Sequence, residues 1–183
     1  MNPRKKIFGI SGSTRQQSSN QLLLQAIGDF FATDIDLEIF DGLASIPAFD
    51  PDQLNGNDPA VVKLFREKIA GADGVIICTP EYAHGVPGSL KNAIDWTVGS
   101  GEFSHKPTVL ITASTDGRFG HQAMLDTLRV IEAENIDQLE LLVSFIKTKI
   151  GGDGKIRDEK TRDEVIAVVT ALLATIRSAS DNV

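Results

Sequence analysis

The chain of 183 residues is 42% hydrophobic and 23% charged, which suits one soluble domain over residues 1–183 and excludes collagen-like and disordered classes. Its formal net charge of −7 and pI near 4.9 argue against nucleic acid or an anionic membrane as partner. The N-terminal MNPRKKIFGISG lacks the apolar core of a signal peptide, and no stretch reaches the roughly 18 apolar residues of a membrane span; the expected compartment is the cytoplasm.

In chain order, the first apolar run is KIFGI (6–10), bounded by turn residues as in a strand buried on both faces. Leu23, Ile27, Phe30 and Phe31 then recur at helical spacing. DLEIF (36–40) alternates like an edge strand, and Asp58-Pro59 marks the start of a helix carrying Val62, Phe65 and Ile69. GVIIC (74–78) is the next strand and holds the only cysteine, Cys78, expected as a buried thiol with no disulfide partner. A third helical pattern runs from about Pro87 to Trp96, followed by the strand TVLIT (108–112) and a helix with Met124, Leu128 and Ile131. LELLV (139–143) reads as strand or helix continuation, GGDGK (151–155) as a turn, and Val165, Val169, Leu172 and Ile176 as the last helix.

This alternation predicts an α/β doubly wound five-stranded parallel sheet with helices on both faces. A dinucleotide fold would show G-x-G-x-x-G after its first strand, where this chain has Gly9-Ile10-Ser11-Gly12-Ser13-Thr14. The flavodoxin-like strand order 2-1-3-4-5 is therefore expected. In such a sheet ligands lie beyond the carboxyl ends of the strands, so the loops SGSTRQQSSN (11–20), TPEYAHGVPGS (79–89) and ASTDGRFGH (113–121) should meet.

The first loop combines small residues, which let backbone N–H groups approach an anion at a helix start, with Ser13, Ser18 and Asn20 as donors and Arg15 as a cation. It reads as a cradle for a phosphate monoester; the competing reading is a polar turn with a solvated arginine. It is no P-loop, because G-x-x-x-x-G-K-[ST] is absent. It is no nucleophile elbow either: Ser13 stands where G-x-S-x-G needs glycine, and the late triad histidine is missing. In the second loop Tyr82 and His84 lie between Pro80 and Pro87 and suit the edge of a planar heterocycle, or form a plain surface turn. The third, with Thr115, Gly117 and Gly120, presents further N–H groups or simply starts a helix. The three histidines are scattered and no Cys/His cluster accompanies them, so no metal site is expected.

GSTRQQSSN followed by PEYAHGVPGSLKNAIDW resembles the NADPH-dependent FMN reductase family, which includes quinone, chromate and azo-dye reductases of flavodoxin-like fold. GKIRDEKTRDEVIAVVTALL is similar to the family's ending, while 133–149 matches least. The resemblance implies an FMN cofactor with NADPH or NADH as electron donor. Ser13, Arg15, Ser18 and Asn20 would hold the phosphate, with Ser11 and Ser19 in the same binding loop. Pro80, Glu81, Tyr82 and Ala83 would border the flavin ring, and Ser114, Thr115, Gly117 and Gly120 would line its pyrimidine side. Two positions depart from the family pattern: Ala83 stands where asparagine often follows P-E-Y, and Gly120-His121 replaces a frequent glycine pair.

A flavin enzyme needs few side chains for chemistry, because the ring carries the hydride and the protein supplies position and electrostatics. The resemblance thus implies no catalytic side chain and ping-pong turnover, in which the nicotinamide nucleotide reduces the flavin and leaves before a quinone, azo, metal-oxyanion or flavin acceptor enters. It also implies a homodimer or homotetramer. Arg118 is a candidate contact for a phosphate of the donor nucleotide, with a solvated loop arginine as the alternative. The competing functions are a flavodoxin-type electron carrier and a flavin-binding regulator without turnover; the arginine in the first loop and the P-E-Y stretch disfavour the carrier, whose phosphate loop is usually threonine-rich.

Overall fold

A computed structural model describes residues 3–15, 17–53 and 58–181. Five strands, β1 (Lys5–Ser11), β2 (Ile35–Phe40), β3 (Gly74–Thr79), β4 (Thr108–Ala113) and β5 (Glu140–Val143), alternate with α1 (Ser19–Phe30), α2 (Ala60–Gly71), α3 (Gly88–Val98) and α4 (Arg118–Val130). After β5 come a single helical turn, α5 (Ile146–Lys149), and the long α6 (Glu159–Asp181). All strand pairs are parallel, in the expected order β2-β1-β3-β4-β5. LELLV resolves to a strand, and DLEIF is indeed at an edge.

Strand side chains alternate between two separate cores, which is why β3 and β4 are wholly buried and built around the apolar runs 75–78 and 109–111. On one face Ile7, Ile76, Cys78, Val109 and Ile111 meet Leu23 and Ile27 of α1 and Val165, Val169 and Leu172 of α6. On the other, Phe8, Ile10, Val75, Ile77 and Leu110 meet residues of α2, α3 and α4, among them Phe65, Trp96 and Leu128. Each such fully buried large side chain contributes about 1.5–3 kcal/mol through burial. In α1 the apolar stripe ends differently from its periodicity: Phe31, one residue past the helix, is buried, whereas Phe30 is 44% exposed. The i, i+4 step from Ile27 reaches Phe31 and turns Phe30 away from the sheet.

The register aligns the strand ends. Ser11 pairs with Cys78, Thr79 with Thr112 and Ala113 with Val143, so the loops after β1, β3, β4 and β5 emerge along one edge. The chain leaves β1 toward the α1 face and its neighbour β3 toward the α3 face. That divergence opens a crevice at the switch point. Cys78 lies beneath it, fully buried, and burial pushes its thiol well above the usual range. Among the described residues no helix is long and apolar enough to cross a membrane.

Candidate functional site

The loop after β1 is held by its own hydroxyls. The Ser11 hydroxyl donates to the Ser13 carbonyl at 3.3 Å, so its proton is spent inside the loop. Ser13 Oγ accepts from the Arg15 N–H (3.3 Å), and Ser18 Oγ, capping α1, accepts from the Gln21 N–H (3.1 Å). A serine hydroxyl that accepts still has its proton to give. Ser13 and Ser18 therefore keep one donor each for a group outside the loop, at the end of a helix whose dipole favours negative charge. Gly12 makes this close geometry possible: its N–H donates to the Cys78 carbonyl at 2.7 Å, and a Cβ there would stand 2.4 Å from Thr79 Oγ1.

Asn20, 3% exposed, donates through Nδ2 to the Ala113 carbonyl at 3.2 Å and so ties α1 to the end of β4. Its Oδ1 is buried without a hydrogen-bond partner.

The loops after β3 and β4 are tied to one another. Ser114 Oγ accepts from the Glu81 N–H at 3.2 Å, and the Glu81 carboxylate accepts from the Gly120 N–H at 2.7 Å. Glu81 thus caps the first turn of α4 as well as bordering the crevice, and the Gly120 N–H is committed to it. A Cβ at Gly120 would press on Glu81 and on the Gly85 carbonyl, each 3.0 Å away. Tyr82 and Gly85 exchange two backbone hydrogen bonds around Ala83 and His84, whose φ values are 48° and 58°. His84 stacks on Phe119 at 4.5 Å. His121, in the place of the family's second glycine, is buried and bonds Thr112 Oγ1 (2.8 Å) and the Glu140 carboxylate, joining α4 to β4 and β5.

These parts enclose a cleft of about 700 Å³, within the range of small-ligand sites. Of the expected residues, Ser13, Arg15, Ser18, Ser19 and Asn20 line it from the first loop, Pro80, Glu81 and Tyr82 from the second, and Ser114 and Thr115 from the third. Ser11, Ala83, Gly117 and Gly120 do not line it: Ser11 ends β1, Ala83 sits in the turn closed by Tyr82 and Gly85, Gly117 precedes α4 and Gly120 lies in its first turn. Arg118 lies elsewhere, in a shallow depression with His84, Phe119 and Asp126. Its guanidinium makes two bonds to Asp116, at 2.8 and 3.0 Å, which hold the Asp116 carboxyl below its usual range.

Another wall of the cleft was not foreseen. It comes from the segment after β5, with Phe145, Ile146, Lys147 and Thr148 followed by Ile150, Gly151 and Gly152. Only GGDGK was legible there, as the turn that it forms. The segment carries no periodicity or motif that marks a ligand site.

A model of the NADPH-dependent FMN reductase family matches residues 5–145. The NAD(P)H-dependent FMN reductase of Pseudomonas aeruginosa is 33% identical over 178 residues, covering 94% of this chain and 95% of its own. A quinone reductase of Escherichia coli is 32% identical over 179 residues, covering 93% and 95% respectively. Among solved structures, FerB, a flavoenzyme NAD(P)H:(acceptor) oxidoreductase of Paracoccus denitrificans, superposes with a TM-score of 0.83 over 95% of this chain and 98% of its own; at 23% identity this likeness concerns the fold. With the family match running through all three foreseen loops, and two relatives of that kind aligned over nearly the whole length, the chain belongs to the NADPH-dependent FMN reductase family.

Proposed function

We propose that the protein binds FMN in the cleft at the strand ends and uses it to carry reducing equivalents from NADH or NADPH to quinone, azo, metal-oxyanion or flavin acceptors. The observation that carries this reading is the donor set of the first loop: two serine hydroxyls with protons left to give, Arg15 and the start of α1 at one end of the cleft. That chemistry fits a phosphate dianion. The sole acid lining the cleft among the described residues, Glu81, is turned to the Gly120 N–H. FMN, when bound, supplies a ring that accepts hydride and returns electrons to an acceptor.

The residues of the chain do the remaining work. Ser13, Ser18 and Arg15 would hold the phosphate, and Asn20 has an acceptor in Oδ1 for a neighbouring hydroxyl. Pro80 and Tyr82 would border the ring on one side and Ser114 and Thr115 on the other. The bonds from Ser114 through Glu81 to Gly120 keep those two walls at a fixed separation, which supports a flat ligand between them. Assembly as a homodimer or homotetramer belongs to the same reading. Tyr82, Phe119 and Phe145 are 49%, 52% and 63% exposed in or beside the cleft, and such apolar exposure suits a partner surface; sedimentation velocity should show an assembly, and a monomer at micromolar concentration would end that part of the proposal.

The experiment is a titration of flavin-free protein with FMN and with riboflavin. We expect one FMN per chain and a preference for FMN of at least about tenfold, the worth of one charge-assisted bond. Equal affinity would sink the phosphate cradle. Adding NADH or NADPH to the loaded protein should then bleach the flavin without a second protein. An electron carrier would stay oxidised.

A further inference from the structure

The cleft's unforeseen wall starts at Phe145, the last residue of the family match, and continues beyond it. It is held firmly in place. The Phe145 N–H donates to the Thr115 carbonyl (3.0 Å), the Ile146 N–H to the Ser114 carbonyl (3.1 Å) and the Ser144 hydroxyl to the Asp116 carbonyl (2.7 Å). Ile146 and Ile150 are buried on either side of Lys147. The backbone that carries Lys147 is thereby fastened to the same loop that supplies Ser114 and Thr115 to the cleft.

Among the described residues, Lys147 and Arg15 are the cations that line this cleft. Neither side chain has a hydrogen bond or ion pair among the described residues. Arg157 and Lys149 in the same region differ: Arg157 pairs with Asp153, and Lys149 acts on Asp158. Arg118, at the neighbouring depression, is taken up by Asp116. A chain with net charge −7 thus leaves, among the described residues, two unpaired cations at one cleft, which suits an anionic ligand. A phosphate monoester carries about −1.5 to −2 near neutral pH, against about +1 from Arg15 and about +0.5 from a helix start. Arg15 and the start of α1 together reach about +1.5, about half a charge short of a fully ionised dianion.

We propose that Lys147 is a second cationic contact for a phosphate ester in this cleft, so that the segment between β5 and α6 sets selectivity for phosphorylated ligands. The inference rests on the proposed function. The phosphate is that of FMN or the 2′-phosphate that distinguishes NADPH from NADH, and the experiment separates the two.

Lys147→Gln and Lys147→Arg are compared with the parent protein by titrating flavin-free protein with FMN and riboflavin, and by measuring KM for NADPH and NADH in the loaded enzyme. If the phosphate is that of FMN, Lys147→Gln raises the Kd for FMN about fivefold, a figure scaled to an exposed charge pair. Riboflavin affinity is then unchanged, Lys147→Arg restores the parent value, and the difference shrinks as salt rises. If the phosphate is that of the donor, FMN affinity stays and KM rises for NADPH but not NADH. The proposal is overturned if neither phosphorylated ligand responds, or if riboflavin weakens as much as FMN. A parent protein without preference for FMN would instead overturn the cradle at Ser13, Arg15 and Ser18, leaving the NADPH and NADH comparison to decide on Lys147.

Discussion

At the scale of single residues, the two departures from the family pattern have different physical outcomes. His121 needs space and partners, and finds both: it fills a buried slot against Thr112 and Glu140. Ala83 does not gain in this way. It sits at φ 48°, beside His84 at φ 58°, in a two-residue turn closed by the mutual bonds of Tyr82 and Gly85. Left-handed backbone costs an L-residue with a Cβ about 1–2 kcal/mol, and asparagine bears it better than alanine because its side chain bonds locally. The asparagine frequent at this position in the family is the residue that such a turn favours. Replacing Ala83 with Asn should therefore stabilise the protein by about 0.5–1 kcal/mol, a rise of about 2 °C in the unfolding midpoint for a chain of this size. Thermal unfolding of the flavin-free protein measures it without interference from ligand binding. An unchanged or lower midpoint would mean that the turn relaxes around Ala83 at no cost.

At the scale of elements, β1, β3 and β4 were legible because each is buried on both faces, and a short apolar run of three to five residues between turn residues is the plain mark of such a strand. The helices were legible through their stripes, and the error at Phe30 is one position on the helix surface, where period alone does not say which of two adjacent aromatics meets the sheet. The first loop was legible for another reason: hydroxyls, glycine and arginine crowd into one βα turn, and that chemistry is local. The role of Glu81 was not. A carboxylate that caps a helix 39 residues away leaves no local trace, and the same holds for Asn20, whose partner is Ala113. The segment after β5 was the least legible element. Phe145 adopts φ 57°, α5 is one turn long, and the segment gains its place through bonds to Thr115 and Ser114. Its position is a property of the sheet register, which no short stretch of sequence contains.

At the scale of the whole molecule, the strand order places a large crevice at the switch point and leaves the remaining loops to close it. Another place for a donor nucleotide is the depression beside Arg118, whose guanidinium is engaged by Asp116 with two hydrogen bonds. Arg118 would have to exchange this exposed pairing for a phosphate. Under the proposed function, donor and acceptor share the cleft of about 700 Å³ with the flavin. On the proposed function the two substrates must then take turns, and steady-state rates with NADH or NADPH and a quinone should give parallel lines in double-reciprocal plots. The same geometry requires a second signature: the acceptor at high concentration should inhibit competitively with the donor, because each blocks the other's only seat. Parallel lines without this competition would point to two seats used in sequence. Intersecting lines would mean that donor and acceptor are bound together, and the assignment of both to one cleft would fall.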